Sequence, residues 1–345
     1  MPPELQQQVQ TTVKETKRRS GWPVRRTLRQ LGVSAASYYR WLKREGSVKA
    51  VAARPVQAYE ATAEEKQAVR SYALKHPGIR HRELAWRMVD EGVAFVSPST
   101  VYRILKCADL VCPWQRRRKR KRSEEEKASR PDEIWATDFM YLQIGGRTYF
   151  LVTFLDEYSR QIVHHAMMPN MDGITVSIEA QAAIEQFLRG RGGAIPAEGM
   201  PRVRTDNGSC YISREFRGVL DAHELGHQRI KPHCPEENGI IERSNRTLRE
   251  ALDGEALTNL FEARDVIGRI INWYNTERLH SALGYLRPID YYRGNPSAMH
   301  EARRRKLAEA RHQRKQKNLQ VRQPTLLLEK TEDLANGRTE VSHCG

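Results

Sequence analysis

Three runs rich in β-branched and aromatic residues lie close together in the middle of the chain. They are IWATDFMYLQI (134–144), RTYFLVTFLD (147–156) and RQIVHHAMM (160–168), with the turn pair Gly145–Gly146 between the first two. Strands separated by connections this short pair as an antiparallel meander. The sequence therefore predicts a sheet in the central region, and any fold of this chain has to contain it.

Downstream of the meander, helix and strand signals alternate. A helical pattern over 175–188 is followed by the short strand PRVRTDNG, whose apolar part ends at Asp206. The next predicted elements are a helix over 214–223, a short strand over 227–232 and a helix over 240–252. Alternation of this kind after an antiparallel start predicts an α/β domain with a mixed sheet.

The N-terminal third contains two predicted helical pairs. In each pair a glycine stops the first helix (Gly32, Gly92) and a serine caps the second (Ser34, Ser97). We predict two helix-turn-helix units whose second helices carry basic and aromatic residues outward, toward the major groove of DNA. The candidate DNA contacts on these helices are Tyr38, Arg40, Lys43, Tyr102, Arg103 and Lys106. Two ordinary helical hairpins with solvated basic faces are the alternative.

The charge of the chain favours an acidic partner. Lys and Arg number 58 against 42 Asp and Glu, a formal net charge of +16, which indicates nucleic acid before a membrane surface. Part of the excess lies in RRRKRKR (116–122), and part in the segment 303–322, which predicts an amphipathic helix or a disordered tail. Such runs contact phosphates without sequence choice. The first run, followed at once by three glutamates, is equally typical of a solvated linker.

Cysteine usage and hydropathy indicate the compartment. The five cysteines are scattered and odd in number, which argues against a disulfide framework and for a reducing environment. No apolar run approaches the ~18 residues of a membrane span, and the N-terminal MPPELQQQVQ lacks the core of a signal peptide. We expect a soluble cytoplasmic protein.

Three acidic residues are notable for their positions in the predicted elements. Asp138 lies inside the first apolar strand, where an unpaired charge is costly. Asp206 ends the fourth strand, the usual edge for sites in open α/β sheets. Glu242 opens a helix on which Arg246 and Arg249 share its outward stripe. Backbone donors or the helix dipole could explain each acid alone; together they predict a metal and phosphate site.

The motifs around these acids resemble those of a known family. WATDF surrounds Asp138, RTDNGS surrounds Asp206 and PEENGIIERSNRTLRE surrounds Glu242, with 35 residues between the last two acids. They resemble the acidic motifs of DDE transposases of bacterial insertion sequences, which have a retroviral-integrase-type catalytic core. WYNTERLHSALGYLRPIDYY, from Trp273, resembles the segment that closes the core in that branch.

The resemblance implies a ribonuclease-H-like mixed-sheet core, preceded by all-α helix-turn-helix domains, in which Asp138, Asp206 and Glu242 bind two Mg²⁺ or Mn²⁺ ions. Hard oxygen ligands favour Mg²⁺ on their own account, and paired ions suit in-line phosphoryl transfer. The DNA contacts that the resemblance and the nearby basic and glycine residues suggest in this core are Asn207, Gly208, Asn238, Gly239, Arg243, Arg246 and Arg249.

The implied activity is that of a DNA transposase, which binds the ends of a mobile element, cleaves DNA and transfers strands. Its partners would be double-stranded DNA and further copies of itself at the bacterial nucleoid, with neither a membrane nor a nucleotide cofactor. A structure-specific nuclease of the same fold and a DNA-binding regulator with idle acids remain as alternatives.

The predicted domains are a first helix-turn-helix domain (1–50), a second (51–113), a basic linker (114–130), the catalytic core (131–295) and a basic helical or disordered tail (296–345).

A zinc site is a further alternative in the second helical domain. Four residues separate the members of each of two pairs, His76 with His81 and Cys107 with Cys112, a spacing that zinc sites can use. Ordinary partly buried side chains are favoured, because Cys107 directly follows the predicted recognition helix.

Overall fold

The structure is a computed structural model that describes residues 3–45, 56–111, 127–231, 234–255 and 257–335, with the backbone alone at 3–4, 43–45, 235–236 and 322–335. The chain divides into two compact units, one formed by Met1–Glu60 with Lys315–Gly345 and the other by Ala61–Arg314. No helix in the described ranges is long and apolar enough to cross a membrane. The basic run 116–122 lies outside the described residues.

The N-terminal part of the first unit consists of three helices, α1 (Pro3–Ser20), α2 (Val24–Gln30) and α3 (Ala35–Glu45). The predicted helical pair is confirmed as α2 and α3. Gly32 follows α2 with φ of 66°, a left-handed conformation that glycine adopts without strain. The Ser34 hydroxyl accepts the Ser37 N–H at 3.2 Å and so caps α3 as expected.

Tyr38 does not lie on the outward face of α3. Its side chain is 3% exposed and packs in the core of this unit, whereas the neighbouring Tyr39 is 52% exposed. Tyr38 and Leu42 belong to the inward stripe of α3, four residues apart. The prediction that Tyr38 is available to DNA is therefore wrong. Arg40 is exposed, and the side chain of Lys43 lies outside the described residues.

A three-helix domain opens the second unit. It comprises α4 (Ala63–Lys75), α5 (His81–Asp90) and α6 (Pro98–Cys107). The predicted turn is confirmed, because Gly92 has φ of 74° and the Ser97 hydroxyl accepts the Thr100 N–H at 3.3 Å. The apolar faces of α5 and α6 meet in one buried cluster. The candidate residues Tyr102, Arg103 and Lys106 lie on the exposed side of α6.

The sheet has five strands in the described residues: β1 (Ile134–Ile144), β2 (Arg147–Asp156), β3 (Ile162–Met168), β4 (Arg202–Thr205) and β5 (His227–Arg229). Their order is β3-β2-β1-β4-β5. The first three pair antiparallel, which confirms the meander, while β4 runs parallel to β1 and β5 parallel to β4. Three antiparallel strands extended by two parallel ones make the core ribonuclease-H-like, as expected.

Alternation along β1 supplies two apolar faces, because successive side chains of a strand point to opposite sides. Trp135 packs into one cluster with α7 (Gly173–Arg189), α8 (Ser209–Ile212) and α9 (Arg214–Ala222). Ala136 and Met140 pack into the other, with α10 (Gly239–Leu252) and α11 (Leu260–Thr276). Short 3-10 helices cover Pro235–Asn238 and Ser281–Leu283. The helical alternative for 303–322 is confirmed, because these residues lie in α13 (Pro296–Ala335), which follows α12 (Pro288–Tyr292).

Arg303 of α13 connects the three-helix domain to the sheet domain. Its side chain is buried, and its Nε donates to the Asp90 carboxylate at the end of α5 at 2.8 Å. The same guanidinium donates to the carbonyls of Gly284 at 2.9 Å and Tyr285 at 2.7 Å, in the loop that follows α11. The buried guanidinium of Arg303 therefore forms hydrogen bonds to parts of the chain that are almost 200 residues apart in sequence.

A second buried cation stabilises the sheet domain. Arg204 in β4 donates to both carboxylate oxygens of Glu157 at 2.7 and 2.9 Å, and the two side chains are 2% and 3% exposed. Removing one member of a buried pair leaves the other charge without compensation, which is far costlier than breaking an exposed pair.

We expect Glu157→Gln to lower the free energy of unfolding by about 3 kcal/mol, measured by denaturant titration. The matched control is Glu301→Gln, which breaks the exposed pair with Arg304 and should cost less than about 1 kcal/mol. Equal losses in the two variants would show that burial does not determine the value of the Arg204 pair.

Candidate active site

The parallel pairing of β1 with β4 brings two aspartates to the same level. Ala136 is opposite Arg204 in the register. Asp138 lies two residues further along β1, and Asp206 comes directly after Thr205, the last residue of β4. The two-residue alternation also places both acids on the sheet face that α10 covers. The structure thus brings together two of the three acids that the sequence indicates.

Asp138 is largely buried on this face, and both of its oxygens are hydrogen-bonded. One oxygen accepts the backbone N–H of Phe139 at 2.8 Å, and the other accepts the Asn245 side-chain amide of α10 at 3.0 Å. Asn245 therefore orients Asp138 across the interface between sheet and helix.

Burial, with a smaller contribution from the nearby carboxylates of Asp206 and Glu242, raises the pKa of Asp138 to about 6. The hydrogen bonds from Phe139 and Asn245 act in the opposite direction. Desolvation and like charges both disfavour the ionised form. The three acids are therefore near enough to one another to interact electrostatically.

Asp206 is fixed by a tight turn. Its carboxylate accepts the N–H of Gly208 at 2.8 Å, and a Cβ on Gly208 would lie 2.9 Å from that carboxylate oxygen. A Cβ at this position would therefore displace the Asp206 carboxylate from its present place. The neighbouring Asn207 donates its amide to the carbonyl of Ile230 at 3.0 Å and so ties the turn to the end of β5.

The helix α10 presents the third acid. Glu242 lies in its first turn and is exposed, as are Arg246 and Arg249, so the predicted outward stripe is confirmed. Arg246 pairs with Glu250 at 2.8 Å on the surface. The opposite stripe, with Ile241 and Leu248, is buried.

Two family models, both described as integrase core domain, match residues 223–288 and 128–235. Together the two matches span residues 128–288, here called the integrase core. This region contains all three acids and begins just before β1.

Proteins of insertion elements are similar to this chain. An uncharacterised 39.2 kDa protein of element IS476 from Xanthomonas euvesicatoria is 31% identical over 61% of this chain and 61% of its own length. The transposase of IS904 from Lactococcus lactis is 29% identical over 49% of this chain and 64% of its own. An uncharacterised protein of IS407 from Burkholderia multivorans is 27% identical, over 69% and 86%. The chain thus spans less than two thirds of the length of the first two relatives.

Among solved structures, the chain is similar to the HTLV-2 integrase catalytic core in complex with magnesium. The identity is 17% and the TM-score 0.37, over 48% of this chain and 99% of that one. A chain of the simian T-cell lymphotropic virus intasome is 17% identical with a TM-score of 0.42, over 66% and 75%.

Asn245 is not among the site residues predicted from the sequence, although the sequence contains a signal for it. Asn245 follows Ile241 by four residues and precedes Leu248 by three, so it occupies the apolar stripe of α10. It is 7% exposed, and its Oδ1 has no hydrogen-bond partner among the described residues. A polar residue on an otherwise apolar stripe next to a motif acid indicates a group that the site uses.

The other core residues proposed from the sequence differ in accessibility. Asn238 is 6% exposed, so its side chain faces the protein. Gly239 is exposed, and a Cβ there would meet nothing within 4 Å, so the backbone is open to an approaching partner. Arg243 is exposed as well.

The three carboxylates of the integrase core are of the ligand type that hard divalent cations prefer. Three carboxylates supply only oxygen ligands, and those of Asp206 and Glu242 contribute to the raised pKa of Asp138. In the described part of the chain no three His, Cys, Asp or Glu side chains are already grouped as ligands of one ion. Glu242 is exposed on α10, so ligation by all three acids requires rearrangement of side chains.

The residues of the zinc alternative have other contacts. The His76 ring lies 4.4 Å from the ring of Tyr72, and the His81 ring lies 5.1 Å from that of Tyr102. Cys107 is exposed, and Cys112 lies outside the described residues.

The pKa of Asp138 predicts a pH effect on stability without divalent cations. Because the folded pKa, about 6, lies above the ordinary value of 3.8, the carboxyl contributes stability below pH 4 that is lost as the pH rises through 6. At pH 8 we expect Asp138→Asn to be more stable than wild type by on the order of 2 kcal/mol, and at pH 4 about equal.

The new amide can be accommodated, because the Asn245 side chain can turn its unpartnered Oδ1 toward it. Denaturant unfolding at both pH values, in EDTA, measures the difference. Asp265→Asn, at an exposed position on α11, is the control for loss of one negative charge. A stability difference that does not change between pH 4 and pH 8 would contradict the assignment.

Proposed function

We propose that this protein is a DNA transposase that binds the ends of a mobile element and catalyses metal-dependent cleavage and strand transfer. The observation that carries the proposal is the acidic group of the integrase core. Asp138 and Asp206 lie level on adjacent parallel strands, and Glu242 lies on the helix that packs over them. The insertion-element relatives support the same activity.

Asp138, Asp206 and Glu242 would hold the Mg²⁺ or Mn²⁺ ions. When bound, two such ions activate an attacking oxygen and stabilise the leaving oxygen of a phosphodiester. The carboxylate donor set supports this assignment, and the magnesium in the HTLV-2 integrase core structure is in line with it.

The side chains around the acids have distinct proposed tasks. Asn245 holds Asp138 in one orientation through its 3.0 Å hydrogen bond, and the Gly208 N–H does the same for Asp206. Arg246 and Arg249 lie exposed on the Glu242 side of α10, where they would hold DNA phosphates. No nucleophilic side chain is needed, since water and then a DNA 3′-hydroxyl attack phosphorus.

DNA recognition would come from the helical parts. Tyr102, Arg103 and Lys106 on α6, with Arg40 on α3, are the proposed groove contacts. The basic face of α13 would add affinity that falls steeply with salt. Two element ends have to be handled together, so we propose that the active complex contains several copies of the chain.

We expect Asp206→Asn and Glu242→Gln each to lower cleavage of element-end DNA by at least roughly a thousandfold, because each removes a charged ligand from the metal site. DNA affinity should stay within about twofold. Cleavage gels with Mg²⁺ and filter binding in EDTA measure the two quantities. Asp265→Asn, at an exposed position on α11 outside the acidic group, should cleave like wild type.

An excision assay in cells tests the whole activity. The gene is supplied on one plasmid and its native flanking DNA brackets a marker on another. Excision by wild type and not by Glu242→Gln supports a transposase. DNA binding without excision by either would favour a regulator, and cleavage without preference for the ends would favour a structure-specific nuclease.

A further inference from the structure

A cavity of about 530 Å³ lies between the three-helix domain and the sheet domain of the second unit. Its walls come from the residues before and in the first turn of α5, the first turns of α10, the β2–β3 turn and the loop that follows α11. The cavity is here called the arginine pocket, and the arginine, glutamate and histidine side chains that line it are Arg80, Glu83, Arg160, Arg243, Arg278 and His280.

The arginine pocket carries a strong positive charge. Of its lining residues in the described chain, four are arginines, and Glu83 is the one acid. Glu83 already pairs with Arg87 at 2.9 Å. Burial lowers the pKa of both Arg160 and Arg278, and Arg243 lowers that of Arg278 further. Glu157 and Asp156 act in the opposite direction on Arg160, and Glu83 and Glu250 on Arg278. Positive charge is nevertheless in excess among the residues that line the pocket.

His280 does not add to this charge. Burial lowers the pKa of His280 to about 3, and Arg278, Arg160 and Arg243 act in the same direction. The ring is neutral at physiological pH and packs edge-on against Tyr274 at 4.9 Å. A neutral imidazole can donate a hydrogen bond to an anion.

Two polar atoms of the pocket wall lack partners. Nη1 of Arg160 and Nε2 of His280 are buried with no hydrogen-bond partner in the described chain, and His280 is 9% exposed. Arg160 also has a left-handed φ of 66°, which is unfavourable for a residue other than glycine. Unsatisfied buried groups and local strain of this kind are typical of ligand-binding sites.

An anion with several oxygens suits such a wall, because guanidinium forks match phosphate oxygens in charge and in geometry. A metal ion is excluded by the positive charge, and an apolar ligand would leave the guanidiniums desolvated without compensation.

The position of the pocket indicates which phosphate it takes. Arg243 follows Glu242 directly, so their Cα atoms are about 3.8 Å apart on α10. A DNA strand advances roughly 3.4 Å per nucleotide along the duplex axis. A strand whose phosphate lies at the acids therefore has further phosphates within reach of the pocket.

We propose that the arginine pocket binds a backbone phosphate of the DNA strand next to the one at the acids, through Arg243 and Arg278 with support from Arg160. This inference rests on the proposed function, because it takes DNA to be the substrate. It adds contacts from the β2–β3 turn and the loop after α11 to those of the α10 surface, and it makes the junction of the two domains part of the DNA-binding surface.

The test uses the full chain in EDTA with element-end duplexes, each carrying one neutral methylphosphonate at a different position. In wild type, one position near the cleavage site should weaken binding roughly tenfold. In Arg278→Gln, a methylphosphonate at that position should weaken DNA binding by less than about twofold. The slope of log affinity against log salt concentration should fall in magnitude by about 1.

Two further variants make the test robust. Arg243→Gln changes an exposed residue, so it yields the same comparison even where Arg278→Gln destabilises the fold. Arg264→Gln removes an exposed arginine on α11 outside the pocket and should keep the full methylphosphonate penalty.

The remaining outcomes separate the hypotheses. If the penalty of a methylphosphonate is the same in wild type, Arg243→Gln and Arg278→Gln at every position, the pocket does not bind a DNA phosphate. If inorganic pyrophosphate then raises the melting temperature of wild type but not of the variants, the occupant is a free phosphate anion. The methylphosphonate penalty could depend on Arg243 or Arg278 in a protein that does not cleave DNA with Mg²⁺ or Mn²⁺. That result would support phosphate binding by the arginine pocket and contradict the proposed function.

Discussion

The parallel pairing of β1 with β4 is the constraint on which the active site depends. β4 is the parallel neighbour of β1, and this direction brings Asp206, at the carboxyl end of β4, to the same level and the same face of the sheet as Asp138. If β4 ran antiparallel, its carboxyl end would point the other way along β1. The helix that covers this face then has to bring Glu242 to the acids. Sheet order, site position and the course of α10 thus follow from one strand pair.

The position of Asp138 is electrostatically unfavourable for a carboxylate. A largely buried carboxylate beside two others is unfavourable, and two fixed donors offset only part of that cost for Asp138. In the same domain, the buried side chains of Arg204 and Glu157 compensate each other's charge directly. On the proposed function, Asp138 is a carboxylate that binds metal, whereas the Arg204–Glu157 pair stabilises the fold.

Most of the fold could be predicted from the sequence, because strand and helix periodicities are local. β1 and β2 match the predicted runs, and Gly32 and Gly92 end helices as expected. Tyr38 was misplaced because an aromatic residue fits either side of a short helix, and only tertiary contacts decide which. The arginine pocket could not be predicted, since its members come from four distant segments.

The contacts of Arg303 have a consequence for where DNA would be cut. This guanidinium ties the end of α5 to the loop after α11, so the three-helix domain is held against the sheet domain by packed side chains. On the proposed function, the distance from the bases touched by α6 to the bond at Asp138 is built into the protein. The enzyme would then act as a ruler, counting a constant number of base pairs from recognition sequence to cut.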